Sequence, residues 1–219
     1  MKLPFTIDQF LDVFKNYNQA VYPLQFIFYF FAIVIVFLSI IKTVYADKII
    51  NSLLSFFWLW MGIVYHILYF AKINPAAYVF GAAFILQGLL FFYHGVLHNA
   101  LMYSFRSGKI GLTGAIMISF ALVIYPMLSH YLGHVYPAAP TFGLPCPTTI
   151  FTIGMLLWSD KKLSPAIWII PVLWSVVGFF AAVKLGIPED TGLLIAGIAG
   201  LILIRVHNRR RISRGFTEK

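Results

Sequence analysis

The sequence predicts an all-α integral membrane protein, a bundle of seven transmembrane helices preceded by an amphipathic helix in the membrane interface. Hydrophobic residues make up 61% of the 219 residues and charged residues only 11%, whereas soluble domains are about a quarter charged. Long apolar runs recur along the chain with short polar loops between them. A basic segment follows the last run, as is typical of the cytoplasmic membrane surface.

The interfacial helix is predicted over residues 4–16, "PFTIDQFLDVFKN". Thr6 is followed three positions later by Gln9, the spacing of a capping box at a helix start. Phe10 and Phe14 fall on one face of this helix. Such a face favours a helix that lies flat in the membrane interface.

Seven spans follow, and all except the fifth approach the roughly 20 residues that a full crossing needs. Their predicted bounds are 21–43, 49–71, 77–99, 111–133, 147–158, 165–184 and 190–206. Because the loops are short, residues 1–219 are predicted to form a single transmembrane domain that ends in a basic tail, 207–219.

The fifth span is the most unusual element, because it is half-length and follows a Pro-Cys-Pro-Thr-Thr turn. A helix over 147–158 is about 18 Å long, little more than half of the ~30 Å hydrocarbon core. Pro147 suits a first helical position, and Thr148 and Thr149 can satisfy N–H groups of the first turn. We therefore predict that the N-terminus of this helix, next to Cys146, forms the floor of a polar pocket inside the membrane.

The distribution of basic residues predicts the orientation. With the C-terminus in the cytoplasm, the inner side holds all of the 16 basic residues except Lys2, Lys15, Lys72 and Lys184, in agreement with the positive-inside rule. The N-terminus is then outside. The lipid bilayer is the surrounding partner, and the basic tail is expected to contact anionic lipid headgroups. A nucleic acid partner is not expected.

In this orientation polar residues gather at the outer end of the bundle. We predict that they bind a ligand there. They are His66, Asn74, His134, Tyr136, Cys146, Thr148, Thr149 and Asp190.

Two kinds of catalytic chemistry are left open by these residues. Cys146 could act as a nucleophile with His134 or His66 as its base, as in acyl transfer. Alternatively, His130 and His134 have the i, i+4 spacing of metal ligands, and with His66 they could hold zinc with an open position for water. No cofactor is expected, and haem is disfavoured because its axial histidines usually lie deeper in the membrane.

Four strings resemble a bacterial family of polytopic membrane proteins classed as a domain of unknown function and sometimes labelled permease-like. They are "LPFTIDQFLDVF", "WLWMGIVYHILYFAKINPAAYVFGA", "LGHVYPAAPTFGLPCPTTIFTIGMLL" and "GIPEDTGLLIAGI". The resemblance covers nearly the whole chain and implies a location in the bacterial inner membrane. It extends to all of the predicted ligand-binding residues and to Pro75, Pro137, Pro147 and Glu189. It does not extend to His130, or to His94 and His98 at the inner end of the third span. It therefore favours a site built on His66, His134 and the Cys146 turn, and it implies no mechanism.

The sequence thus predicts a membrane protein whose outward-facing pocket binds or transports a small polar or anionic solute. The first alternative is a membrane-embedded hydrolase or acyltransferase that acts on a lipid through Cys146 and His134 or through a histidine-bound metal. The second alternative is an accessory subunit of a membrane complex. No reaction is identified, and the prediction leans towards a protein that is not an enzyme.

Overall fold

The computed structural model describes residues 4–217 and the side chains of residues 4–209. The described residues form a helical bundle. Its α-helices are α1 Ile7–Val21, α2 Leu24–Ile41, α3 Ala46–Trp60, α4 Ala77–Phe91, α5 Lys109–Ser119, α6 Tyr125–Tyr131, α7 Pro145–Leu156, α8 Pro165–Leu185 and α9 Thr191–Thr217. The predicted all-α class is confirmed.

Three of the long helices change their winding before they end. α3 continues as a π-helix over Met61–Tyr69 and a 3₁₀ turn over Phe70–Lys72. α4 continues as a π-helix over Phe92–Leu97, and the π-helix Phe120–Ile124 joins α5 to α6. π-Helical turns are rare and frequently mark functional sites. The first of them carries Tyr65 and His66, which lie at the candidate site.

Six helical segments within the described part of the chain are long and apolar enough to cross a membrane. They are Leu24–Ile41, Ala46–Lys72, Ala77–Leu97, Lys109–Tyr131, Pro165–Leu185 and Pro188–Arg209. These segments support a multi-pass membrane protein. α7 has only 12 residues and is not among them, so the seventh membrane crossing stays a prediction.

α7 is nevertheless the central helix of the bundle, since every residue from Pro147 to Leu156 is buried. It begins next to the carboxylate of Asp190, which defines the carboxylate end of the bundle. It leads to Trp158, whose carbonyl accepts a hydrogen bond from Ser104 N at 2.9 Å. We call this opposite end the basic end, because it holds the Lys42 and Arg106 ion pairs with Asp160.

The structure differs from the sequence prediction at the start of α7, which begins at Pro145 rather than at residue 147. Proline fits the first turn of a helix because the N–H groups there have no partner within the helix. Pro145 and Pro147 both occupy that turn, so the more N-terminal of them starts the helix.

α1 differs from its prediction in both length and surroundings. It covers Ile7–Val21 rather than 4–16. The capping box is confirmed, because Gln9 N donates to Thr6 Oγ1 at 3.2 Å and Thr6 N donates to Gln9 Oε1 at 2.9 Å. Its aromatic face, however, packs on the bundle, with the ring of Phe10 5.6 Å from that of Phe70. The apolar face of α1 is thus buried by protein.

α9 also differs from its prediction, because it continues past residue 206 to Thr217. The predicted basic tail, 207–219, is therefore largely helical backbone. Its side chains from residue 210 onward lie outside the described residues, so lipid contacts of the tail stay a prediction.

A cluster of charged and polar side chains surrounds Asp160 at the basic end. Lys42 Nζ and Arg106 Nη2 each lie 2.6 Å from its carboxylate, and Ser104 Oγ also donates to it. Partial burial disfavours ionisation of Asp160, but the hydrogen bonds from Lys42, Ser104 and Arg106 together outweigh it and lower its pKa to about 2.

We expect this cluster to make stability depend on pH in the acid range. Because the pKa of Asp160 is lower in the folded than in the unfolded chain, its contribution is present above the ordinary aspartate pKa of 3.8 and is lost as pH falls towards about 2. Asp160→Asn should remove that acid-range dependence and lower the free energy of unfolding by about 1 kcal/mol, because the partners are partly exposed and screened. The test is the free energy of unfolding of the unaltered chain and of Asp160→Asn, measured between pH 2 and 7. The same loss of stability at acid pH in both proteins would contradict this expectation.

Candidate functional site

Two adjacent buried carboxyl groups form the floor of the site. Glu189 and Asp190 lie in the 3₁₀ turn Pro188–Asp190, immediately before α9, and are 0% and 4% exposed. Glu189 Oε1 lies 2.8 Å from Nδ1 of His134, and Asp190 Oδ1 accepts a hydrogen bond from the Tyr125 hydroxyl at 2.5 Å. Glu189 Oε2 has no hydrogen-bond partner among the described residues. Buried carboxyl groups of this kind are uncommon without a partner or a function.

The sole cysteine joins this floor from α7. Cys146 is half-buried, and its thiol lies beside the carboxylate of Asp190 and the indole of Trp174. Pro145 and Pro147 flank it and have no N–H, so Cys146 alone supplies an N–H among the first three residues of α7. The helix terminus therefore offers few donors to an anion, and a carboxyl group stands next to it.

A cavity of about 230 Å³ opens in front of Cys146 and Asp190. Its volume exceeds the ~150 Å³ of an apolar protein cavity that admits benzene. Aromatic side chains from α1, the first π-helix, the 3₁₀ turn after it, α4 and α8 line one cavity wall. They include Phe10, Phe14, Tyr65, Phe70, Phe80 and Trp174.

The mouth of the cavity lies along α8. Val177 and Phe180 line the cavity and are also 41% and 60% exposed on the outer surface of the bundle. Asn74 and Lys184 lie at the same opening. The exposure of Val177 and Phe180 thus opens the cavity at the side of the bundle.

The loop that covers this end is held by a residue that sequence reasoning did not single out. Asn18 of α1 is fully buried, and its amide nitrogen donates to the carbonyls of Pro137 and Ala139 at 2.7 and 2.8 Å. Its Oδ1 accepts a hydrogen bond from Thr141 at 2.8 Å. One side chain therefore fixes the α6–α7 loop to α1, and a lone asparagine on an apolar helix face is the only sequence signal for it.

Three of the predicted ligand-binding residues line the cavity together, namely Asn74, Cys146 and Asp190. His134 stands behind them, against Glu189. His66 is fully buried behind the cavity wall, where its ring centre lies 5.1 Å from that of Trp174 and 4.6 Å from that of Phe84. Neither of its ring nitrogens has a hydrogen-bond partner within the described part of the chain.

The other three predicted residues lie outside the cavity wall. Thr148 is buried in α7, where its hydroxyl accepts a hydrogen bond from Gly143 N at 3.0 Å and so caps the preceding loop. Thr149 is fully buried in the same turn. Tyr136 is 51% exposed on the covering loop. Their predicted ligand contacts have no support in this geometry.

The three histidines that could hold zinc are not brought together. His130 is exposed, His134 is paired with Glu189 and His66 is enclosed by aromatic rings. Residues 4–209 contain no group of three or more histidine, cysteine, aspartate or glutamate side chains that could hold a metal ion. For the Cys–His alternative, the Cys146 thiol lies beside Asp190 and Trp174, and no hydrogen bond joins it to His134 among the described residues.

Sequence reasoning missed Tyr125 and Trp174, which complete the floor. Both are polar-tipped aromatic residues inside apolar spans, and such residues usually have a hydrogen-bond partner when they are buried. That tendency is the only signal in the sequence. It identifies neither the partner nor the direction of the side chain. Tyr125 donates to Asp190, whereas Nε1 of Trp174 has no hydrogen-bond partner among the described residues.

Comparison with known proteins places the chain in a family. No curated protein and no solved structure matches it. The sequence model of a family of unknown function, DUF6064, matches residues 7–214. This match extends from the first residue of α1 almost to the end of α9, and it confirms the resemblance to a family without an assigned function. The chain therefore belongs to the family of unknown function DUF6064.

Proposed function

We propose that this protein binds a compact ligand, with an apolar body and one polar group, in the cavity in front of Cys146 and Asp190. The observation that carries the proposal is the cavity itself, which combines an aromatic wall with a floor of a thiol and a carboxyl group. Ligand sites in proteins commonly have this composition, an apolar lining with a few convergent polar groups.

The aromatic wall favours an apolar ligand body over the small polar or anionic solute that the sequence predicts. A fully polar solute would lose its hydration without gaining hydrogen bonds from phenylalanine side chains. The carboxyl group of Asp190 would also disfavour an anion, and the start of α7, with its two prolines, would offer that anion few N–H donors. The transport of a solute stays a prediction, as does the role of an accessory subunit.

The exposed residues at the mouth support entry from the bilayer. Val177 and Phe180 lie both in the cavity wall and on the outer surface of α8, which is one of the six candidate spans. We propose that α7 provides a seventh crossing and that the carboxylate end faces outward from a bacterial inner membrane. A ligand dissolved in the outer leaflet would then reach the cavity laterally.

Filling the cavity should abolish ligand binding. Ala181 lines the cavity, so Ala181→Phe should occupy its space, whereas Val183 on the same helix is 61% exposed and away from the cavity. With neopentylbenzene as the probe, we expect binding by the unaltered chain and by Val183→Phe, and at least about tenfold weaker binding by Ala181→Phe. Calorimetry in detergent measures the affinities. Equal binding by Ala181→Phe and Val183→Phe, or no binding by the unaltered chain, would refute the proposed site.

The orientation is tested with single cysteines in a Cys146→Ser background. Ser107 follows the cluster at the basic end, and Val135 is 48% exposed on the loop at the carboxylate end. A thiol reagent that cannot cross the inner membrane should label Val135→Cys but not Ser107→Cys in intact cells, because the positive-inside rule places the basic end in the cytoplasm. The reverse labelling pattern would overturn the outward orientation.

A further inference from the structure

We infer that the ligand of this cavity is a lipophilic organic cation whose ammonium group lies against Asp190 and the surrounding aromatic rings. The inference rests on the proposed function, since it names the chemical class of ligand for the same cavity. It is carried by two independent features, the aromatic wall and the buried carboxyl group of Asp190 at the floor.

The wall provides aromatic rings close to the floor. Trp174 lines the cavity and lies beside Cys146, and its ring centre is 5.4 Å from that of Phe80. Tyr65 and Phe70 stack with their ring centres 5.9 Å apart in the same wall. Aromatic faces attract organic cations, most strongly in sites that exclude water. The same faces give an anion no comparable interaction.

Asp190 is the carboxyl group that lines the cavity, and Glu189 precedes it in the same 3₁₀ turn. Tyr125 and Cys146, the groups beside Asp190, are neutral donors. His134 is the only basic side chain that contacts Glu189 within the described residues, and Glu189 Oε2 is buried without a partner. A buried carboxyl group is costly to ionise without a counter-charge. A ligand cation against Asp190 would provide that counter-charge.

Lys184 is the basic residue that lines the cavity. Its position decides how strongly its charge competes with a ligand cation for Asp190. It lies in the last turn of α8 and is exposed, so its charge is at the surface of the bundle. Asp190 is 4% exposed, and charges act more strongly on one another in such a buried place. The field inside the cavity is therefore dominated by the carboxyl group at its floor.

Three probes of nearly equal size and shape separate the contributions of charge and of the apolar body. They are benzyltrimethylammonium, the neutral isostere neopentylbenzene and the anion phenylmethanesulfonate. Affinities are measured by calorimetry with the unaltered chain and with Asp190→Asn. We expect the ammonium to bind about tenfold more tightly than neopentylbenzene and the sulfonate to bind more weakly than both. Asp190→Asn should bring the ammonium and the neutral probe to within about threefold of each other.

The outcomes distinguish this inference from the proposed function. If neopentylbenzene binds as tightly as the ammonium in the unaltered chain, the cavity is a ligand site, but the inference of a cationic ligand is wrong. Tighter binding of the sulfonate than of the ammonium would also contradict this inference and would favour an anionic ligand. If none of the three probes binds, the proposed function fails as well. The comparison in the unaltered chain remains decisive even if Asp190→Asn does not fold, because it requires no variant.

Discussion

Gly154→Val is expected to destabilise the fold by about 3 kcal/mol, at the upper end for overpacked cores, because it separates the central helix from α5. A Cβ atom at Gly154 would lie 2.9 Å from the backbone oxygen of Gly114 and 3.1 Å from Cβ of Met117. A backbone oxygen cannot rotate away as a flexible side chain can, so the two helices must move apart. Thermal or chemical unfolding in detergent measures the loss.

The matched control for this variant is Gly108→Ala. A Cβ atom at Gly108, immediately before α5, would meet no other atom within 4 Å. We expect its stability to stay within about 0.5 kcal/mol of the unaltered chain. A Gly154→Val protein as stable as the Gly108→Ala control would contradict the close packing of α5 on α7.

His134→Ala should cause the other large loss, because it leaves the fully buried carboxyl group of Glu189 without its partner. A buried polar group left without its hydrogen-bond partner typically costs about 1–3 kcal/mol. The double variant His134→Ala with Glu189→Leu should recover most of that stability, since no unpaired polar group then remains. Free energies of unfolding of the single and double variants form the test.

His130→Ala is the matched control for these variants, because His130 is an exposed histidine near the end of α6, four residues before His134. Its expected effect is below about 0.5 kcal/mol. A loss in His134→Ala no larger than that of His130→Ala would mean that the pair with Glu189 contributes nothing. A double variant no more stable than His134→Ala would contradict the burial of Glu189.

The parts of the fold that depend on local sequence could be predicted. The membrane helices follow from length and composition, and the Thr6–Gln9 capping box follows from a spacing of three residues. The burial of Phe10 and Phe14 could not be predicted, because an apolar helix face has the same pattern whether it meets lipid or protein. The start of α7 was ambiguous because Pro145 and Pro147 both suit a first turn.

The site was predictable in location but not in its pairings. The charge distribution along the spans places Asn74, Cys146 and Asp190 at the same end, and the structure brings these three together. The direction of each side chain depends on how the helices rotate against their neighbours. The sequence therefore did not reveal that His66 is enclosed by aromatic rings or that Tyr125 donates to Asp190.

The most direct test of the central claim, that the cavity is a ligand site accessible from outside the protein, is the modification rate of Cys146. Cys146 is the sole cysteine of the chain, so its thiol can be followed in the unaltered protein. The small neutral reagent methyl methanethiosulfonate should modify it in the folded state, because the thiol lies in the cavity wall. Neopentylbenzene at about ten times its Kd should slow that reaction about tenfold by occupying the cavity. A thiol that reacts only after unfolding, or at a rate that neopentylbenzene leaves unchanged at this concentration, would contradict the claim.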